Sequence, residues 1–206
     1  MFNGNKIYSI DENGNKKRIF WVKGLRIRFK GENSVILLHE PLKKFRKSYI
    51  RCGNNCVIEI GSSHYKKKKL CILANGDNSV CRIGKDFHCT NNCTILLHEE
   101  PNLSVEIGDD CMFGTNVFLR TSDAHIIYDI NTNKTTNFGA SIKIGNHCWL
   151  ARNTTILKGV NLADNCIIAT NATVTKDCSL SNTIYAGIPA QPVKFGVNWK
   201  RERPLK

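Results

Sequence analysis

No stretch of this chain approaches the roughly 20 consecutive apolar residues that a membrane-spanning helix needs. The opening segment MFNGNKIYSIDENGNKKR holds no apolar run of the kind a secretory signal peptide carries. A cytoplasmic protein is therefore expected. Also missing is any His-x4-His pair among His39, His64, His88, His98, His125 and His147, which argues against hydration chemistry on a zinc ion held by three histidines, and no metal is expected. Acidic residues are scarce, 17 against 30 lysines and arginines, for a formal net charge of +13. No helix-turn-helix, zinc-finger or RNA-binding aromatic pattern accompanies that charge, so nucleic acid is not the expected partner. The 206 residues suit one domain.

Cysteine, by contrast, is plentiful, with ten residues. Cys52-x3-Cys56 and Cys89-x3-Cys93 have the wrong spacing for a zinc knuckle. Cys93 and Cys111 are eighteen apart, as are Cys148 and Cys166, and such positions suit small buried apolar groups in a repeat rather than disulfides.

The repeat itself is most regular from Ile144 to Tyr185. An aliphatic residue recurs every sixth position, at Ile144, Leu150, Ile156, Leu162, Ile168, Val174 and Leu180. Four positions after each stands Cys148, Thr154, Val160, Cys166, Ala172, Cys178 or Ile184, with mostly polar residues between. Neither a helical nor a simple alternating period fits, whereas short strands joined by tight turns do. Three such strands make a coil, equivalent inward residues stack from coil to coil, and the predicted fold is an all-β parallel β-helix. A signature of apolar-x-Ile-Gly marks coil corners at Gly61, Gly84, Gly108 and Gly145, where glycine is expected for its backbone freedom.

Upstream the phase runs from Ile83 through Cys89, Ile95, Pro101, Ile107, Phe113 and Leu119 to His125, interrupted at Pro101 with Glu99 at an inward slot. Residues 1–57 are a lead-in of coils without a clear phase, 58–185 the β-helix, and 186–206 a short C-terminal tail. Lys66 to Lys69 reads as a basic surface loop. Between Ile107 and Ile144 the spacing exceeds six sixes by one, so the polar segment 123–141 is expected to protrude as a loop.

The motifs Ile144-Gly145-x3-Trp149-Leu-Ala, Ile156-Leu-Lys-Gly159-Val160, Val174-Thr-Lys-Asp177 and Tyr185-Ala-Gly-Ile-Pro-Ala190-x2-Val-Lys194 resemble the hexapeptide-repeat acyltransferases, whose β-helix is left-handed. The Ser122-Asp123-x-His125 form is similar to capsular polysaccharide O-acetyltransferases, polysialic acid enzymes among them. The resemblance implies acetyl-CoA as donor, a homotrimer, and His125 as the base for transfer to a carbohydrate hydroxyl. An imidazole is well suited to take a proton near neutrality. Residue type alone favours a surface hydrogen-bonding role for His125, and it is the resemblance that points to the base. The resemblance further implies that Trp149 lies near the thioester and that Ala151, Ala169 and Ala172 leave room for the pantetheine arm. As point charges Lys176 and Lys194 suit contacts to phosphate, and they equally suit a solvated surface. Asp123 or Asp129 could orient the imidazole.

Basic clusters at Lys16-Lys17-Arg18, Lys43-Lys44-Phe45-Arg46-Lys47, Lys66 to Lys69 and Lys200-Arg201-Glu202-Arg203 suggest an acidic polysaccharide acceptor, such as polysialic acid, or solvated faces. Two alternatives stand beside O-acetylation: N-acetylation of a nucleotide-linked amino sugar, and non-catalytic binding of an acidic glycan.

Overall fold

The computed structural model describes residues 3–42 and 45–202. Lys43, Lys44 and Arg203 of the basic clusters lie outside the described residues. The chain winds through three sheets in turn, forming a left-handed parallel β-helix. The first face runs from Lys6–Ile10 through Val35–His39, Val57–Ile60, Val80–Ile83, Ser104–Ile107 and Ile142–Ile144 to Asn161–Leu162, with Lys16–Arg18 added antiparallel at its edge. The second face begins at Phe45–Arg46 and Lys67–Lys68 and ends in an antiparallel pair, Ile184–Gly187 and Ala190–Lys194. The third contains Leu25–Phe29, Ser48–Cys52, Leu70–Ala74, Cys93–Leu97, Phe118–Arg120, Thr155–Ile156 and Thr173–Val174.

Each coil sets one inward residue above its equivalent. On the first face Leu38, Ile60, Ile83, Ile107, Ile144 and Leu162 form one such row, and on the third Ile27, Ile50, Ile72, Ile95, Leu119, Ile156 and Val174 form another. The buried members make one continuous core, so every coil depends on its neighbours for burial of its apolar side. All ten cysteines are free and nine are buried; Cys71 instead faces outward on the third face. Burial pushes the Cys81 thiol up to about 12, consistent with an inert packing role.

Coil length varies. Val35 pairs with Val57 and Val57 with Val80, twenty-two and twenty-three residues on, whereas Ile144 pairs with Leu162 after eighteen. Longer corners therefore obscure the six-residue period in the N-terminal half, although residues 6–57 already contribute strands to all three faces. Glu99 and Pro101 belong to one such corner and are exposed, not inward. At the other end Leu180 is 49% exposed, and Tyr185 occupies the inward slot above Ile168.

The corner glycines correct the sequence reading. None of Gly61, Gly84, Gly108 and Gly145 adopts a positive φ. They are small because the coils touch there: a Cβ on Gly61 would lie 2.7 Å from the carbonyl carbon of Gly84. The left-handed positions are held mainly by asparagine, and Asn92, Asn116, Asn153 and Asn171 pass side-chain hydrogen bonds from coil to coil at 2.8–3.1 Å.

Lys66 to Lys69 is also not a surface loop. Lys67–Lys68 is a strand of the second face, with Lys67 fully buried between Phe45 and Cys89 in the inward row. Its ammonium lies 5.6 Å from the Phe45 ring centre and donates to Tyr65 O at 3.4 Å. Burial, opposed in part by Asp86 and Cys89, lowers its pKa to about 8.

Candidate active site

The chain leaves the third face after Phe118–Arg120 and returns at Ile142–Ile144. Ala140 N–H donates to Thr121 O at 2.9 Å and closes the root of this loop. Inside it Asp129 N–H bonds Lys134 O and Thr136 N–H bonds Ile127 O, making a small hairpin.

Two sets of polar contacts fasten that hairpin to the column. Glu100, on a corner of the preceding coil, accepts the Ser122 hydroxyl at 2.7 Å and the Gly139 N–H at 2.6 Å, so one carboxylate ties both stems. Ser122 Oγ in turn accepts the Ala124 N–H at 3.2 Å. Ala124 has φ +74°, a conformation costing an alanine about 1–2 kcal/mol, and the Ser122 contact supports it immediately before His125. On the other side Lys158 donates to Asp123 Oδ2 at 2.5 Å and to Asn137 O at 2.9 Å. Asn137 Nδ2 donates to Asp123 Oδ2 and to His125 O. The hydrogen bonds from Lys158 and then Asn137 hold the Asp123 carboxyl below the usual range.

His125 is thus fixed through its backbone while its side chain is exposed, and among the described residues no hydrogen bond or ion pair engages its imidazole. Asp123 faces Lys158 and Asn137 rather than this ring, and Asp129 caps the hairpin turn through Asn131 and Thr132. Beside His125 the hairpin exposes Ile126, Ile127, Tyr128, Ile130 and Phe138, a concentration of apolar surface unusual for a solvated loop.

Trp149 projects from the second face, and among the described residues no hydrogen bond or ring contact joins it to His125. Its ring centre is 6.1 Å from that of Trp199, a residue the sequence reading did not single out. Trp199 stacks on His147 at 4.4 Å and donates from Nε1 to His147 O at 2.8 Å. Arg201 continues the tail across earlier coils, lying 4.1 Å from the Tyr65 ring centre and bonding Asp110 Oδ1 at 2.6 Å. Burial alone would raise the Asp110 carboxyl, but hydrogen bonds from Arg201 and His147 outweigh it and hold the group low. The tail is therefore clamped along the second face, and only the aromatic and arginine content of Asn198 to Arg201 hinted at that.

Ala151 and Ala169 follow equivalent strands and stack, Ala151 N–H donating to Ile168 O and Ala169 N–H to Tyr185 O. With Gly114 before them and Ala186 after, they make a row of small residues at the corner between the second and third faces. Ala172 is not part of it: its methyl is wholly buried in the core, where no ligand reaches it. Lys176 and Lys194 are exposed near the C-terminal end of the column. Among the described residues no group of three or more His, Cys, Asp or Glu side chains is placed to hold a metal ion. No helix among them is long and apolar enough to cross a membrane.

Comparison with known proteins agrees with this architecture. A family model described as bacterial transferase hexapeptide (six repeats) matches residues 141–176, the segment of strictest period. Over 161 residues the chain is 38% identical to a polysialic acid O-acetyltransferase of Neisseria meningitidis, covering 73% of this chain and 74% of that protein. A polysialic acid O-acetyltransferase of Escherichia coli O1:K1 / APEC is 44% identical over 98 residues, which is 48% of this chain and 32% of that one. The crystal structure of the polySia specific acetyltransferase NeuO is similar with a TM-score of 0.84 and 28% identity, over 98% of this chain and 81% of that one. The polysialic acid O-acetyltransferase OatWY, at 23% identity and a TM-score of 0.73 over 98% of this chain and 90% of its own, shares the fold.

Proposed function

The chain belongs to the hexapeptide-repeat acetyltransferases, the family that includes polysialic acid O-acetyltransferases, and on that premise we propose that it moves acetyl from acetyl-CoA to a hydroxyl of an acidic glycan, polysialic acid first among them. The observation that carries this reading is the free imidazole of His125, held on a loop whose stems are tied by Glu100 and Lys158. In the proposed step a ring nitrogen of His125 takes the proton of the acceptor hydroxyl as its oxygen bonds to the thioester carbonyl carbon. The tetrahedral intermediate then expels the coenzyme A thiolate, which takes that proton back from the imidazolium, leaving an acetyl ester and free thiol.

The small row at Ala151 and Ala169 supports a place for the pantetheine arm, with Trp149 as a wall and Lys176 and Lys194 as contacts for phosphate. Ala172, enclosed in the core, drops out of this set. Asp123 acts through the loop, by way of Lys158 and Asn137. A homotrimer is part of the proposal, because His125 and Trp149 leave different faces and the exposed apolar hairpin calls for a cover. The free, buried cysteines suit a reducing compartment, the cytoplasm.

The test is a panel of acidic and neutral glycans with acetyl-CoA, assayed by release of free thiol at low and high salt. Turnover confined to acidic acceptors and weakened by salt supports the reading. A preference for neutral sugars, indifferent to salt, overturns the acceptor assignment.

A further inference from the structure

Among the strands the only acidic residues are Glu59 and Glu106, both on the first face. On the first face Glu59 contacts His39 and Arg82, and Arg82 also meets Glu106, so each of its two acidic side chains has a basic neighbour, while Lys6, Lys16, Lys17, Arg18 and Lys143 remain outside that chain of contacts. The strands of the third face contain no Asp or Glu at all, and their charged residues are Arg26, Arg28, Arg51 and Arg120. All four alternate outward from the core. Arg28 stands directly opposite Arg51 in the parallel register, an arrangement in which like charges repel and stability is lowered. Nothing in the packing of the column requires it, because both guanidinium groups face away from the core.

The same register draws a line. Arg28, Arg51, Leu73, Leu96 and Arg120 occupy one outward row, and Arg26, Tyr49, Cys71, Thr94 and Phe118 the row beside it. At about 4.8 Å per strand, four steps carry the first row some 19 Å. It ends at Arg120, whose Nε donates to Ser122 O at 2.7 Å in the root of the His125 loop. At the other end Lys30, Arg51, Gly53, Asn75 and Glu99 line a cleft of about 180 Å³. Arg51 is oriented there by a 2.7 Å bond to Asn75 Oδ1, and Arg26 lies over the Tyr49 ring at 6.0 Å.

We propose that the third face is a binding track for an extended acidic glycan, whose carboxylates pair with Arg26, Arg28 and Arg51 while a more distant sugar of the same chain is presented to His125 past Arg120. Arginine suits planar, bidentate recognition of a carboxylate, and Tyr49 and Phe118 offer flat surfaces for the apolar faces of sugars. The track makes affinity depend on chain length, since a single sugar cannot touch both ends of the row. This rests on the acceptor reading above and extends it to a polymer held remote from the chemistry.

The test compares the full-length wild type with Arg26→Ala/Arg28→Ala/Arg51→Ala and with a control that removes equal charge at exposed lysines elsewhere, Lys6→Ala/Lys85→Ala/Lys143→Ala. Steady-state transfer is measured with long polysialic acid and with a two- or three-residue oligomer, and binding is read by anisotropy of fluorescein-labelled polysialic acid. The arginine variant is expected to raise the long-chain KM about tenfold or more, with kcat retained, a weaker salt dependence and a smaller loss on the short oligomer. A long-chain KM within about twofold of wild type, or an equal loss in the control, overturns the track. If the wild type transfers acetyl to no acidic glycan yet the three arginines govern polymer binding, the catalytic reading fails and the track stands.

Discussion

Glu100 and Ser122 are joined at 2.7 Å across two coils, and through Ser122 Oγ the same contact reaches the left-handed Ala124 that precedes His125. With its second oxygen on Gly139 N–H, Glu100 positions the loop without touching the imidazole.

Glu100→Ala is therefore expected to lower kcat by roughly ten- to a hundredfold through misplacement of His125, leaving the pH dependence of kcat/KM in place. Glu100→Gln, which keeps an acceptor oxygen, should recover part of the loss. Hydrogen exchange of 123–139 should quicken in the alanine variant. Unchanged exchange and unchanged kcat would show that the loop holds itself.

Asp123 provides a pH prediction. Its folded pKa is depressed, chiefly by Lys158, so its anchoring is complete above the unfolded value near 3.9 and is lost only as pH falls through the lower folded value. In Lys158→Met the loop should open more readily at pH 7, and its remaining acid sensitivity should move up toward pH 4. Limited proteolysis between pH 3 and 7 reads both effects.

Lys67 should be a liability to stability. Below pH 8 both folded and unfolded chains carry its proton, and folding bears the full cost of burial. Between about 8 and the unfolded value near 10.4 the unfolded chain binds more protons, so stability rises with pH. A depression of this size corresponds to about 3 kcal/mol. Lys67→Met is expected to be more stable than wild type at pH 7 in urea unfolding, by up to that amount, with the gap narrowing by pH 10. A destabilised variant at pH 7 would mean that the ammonium makes its own favourable contacts.

The tail clamp yields another expectation. Arg201→Ala removes hydrogen bonds to Asp110 and its packing on Tyr65 and Trp199, loosening the tail by about 2 kcal/mol. Trp199 should then become accessible to acrylamide quenching. If Trp149 walls the donor site, KM for acetyl-CoA should rise as Trp199 withdraws from it.

The column's C-terminal half could be read from the chain because its coils are eighteen residues long, so Ile144, Leu150 and Ile156 repeat without slippage. In the N-terminal half the corner from the third face back to the first adds residues, and pairs such as Val35 with Val57 fall out of phase although the same stacking operates. Lys67 was obscured because four consecutive lysines look solvated, and only its equivalence to Phe45 and Cys89 reveals an inward slot. His125 and its loop were legible as a break in the repeat. Glu100, Lys158 and Trp199 were not, since each acts across coils and the spacing of a contact such as His147 to Trp199 follows no period. The third-face arginines belong to the same class, because their alignment appears only once the register is known.

The central claim is that His125 removes the acceptor proton, and one measurement tests it most directly: kcat for transfer from acetyl-CoA to polysialic acid by wild type and His125→Ala, with acetyl-CoA affinity determined on both by calorimetry. The account predicts a fall of about 10²-fold or more in kcat with donor affinity preserved. A variant that binds acetyl-CoA and turns over within a few-fold of wild type would contradict it.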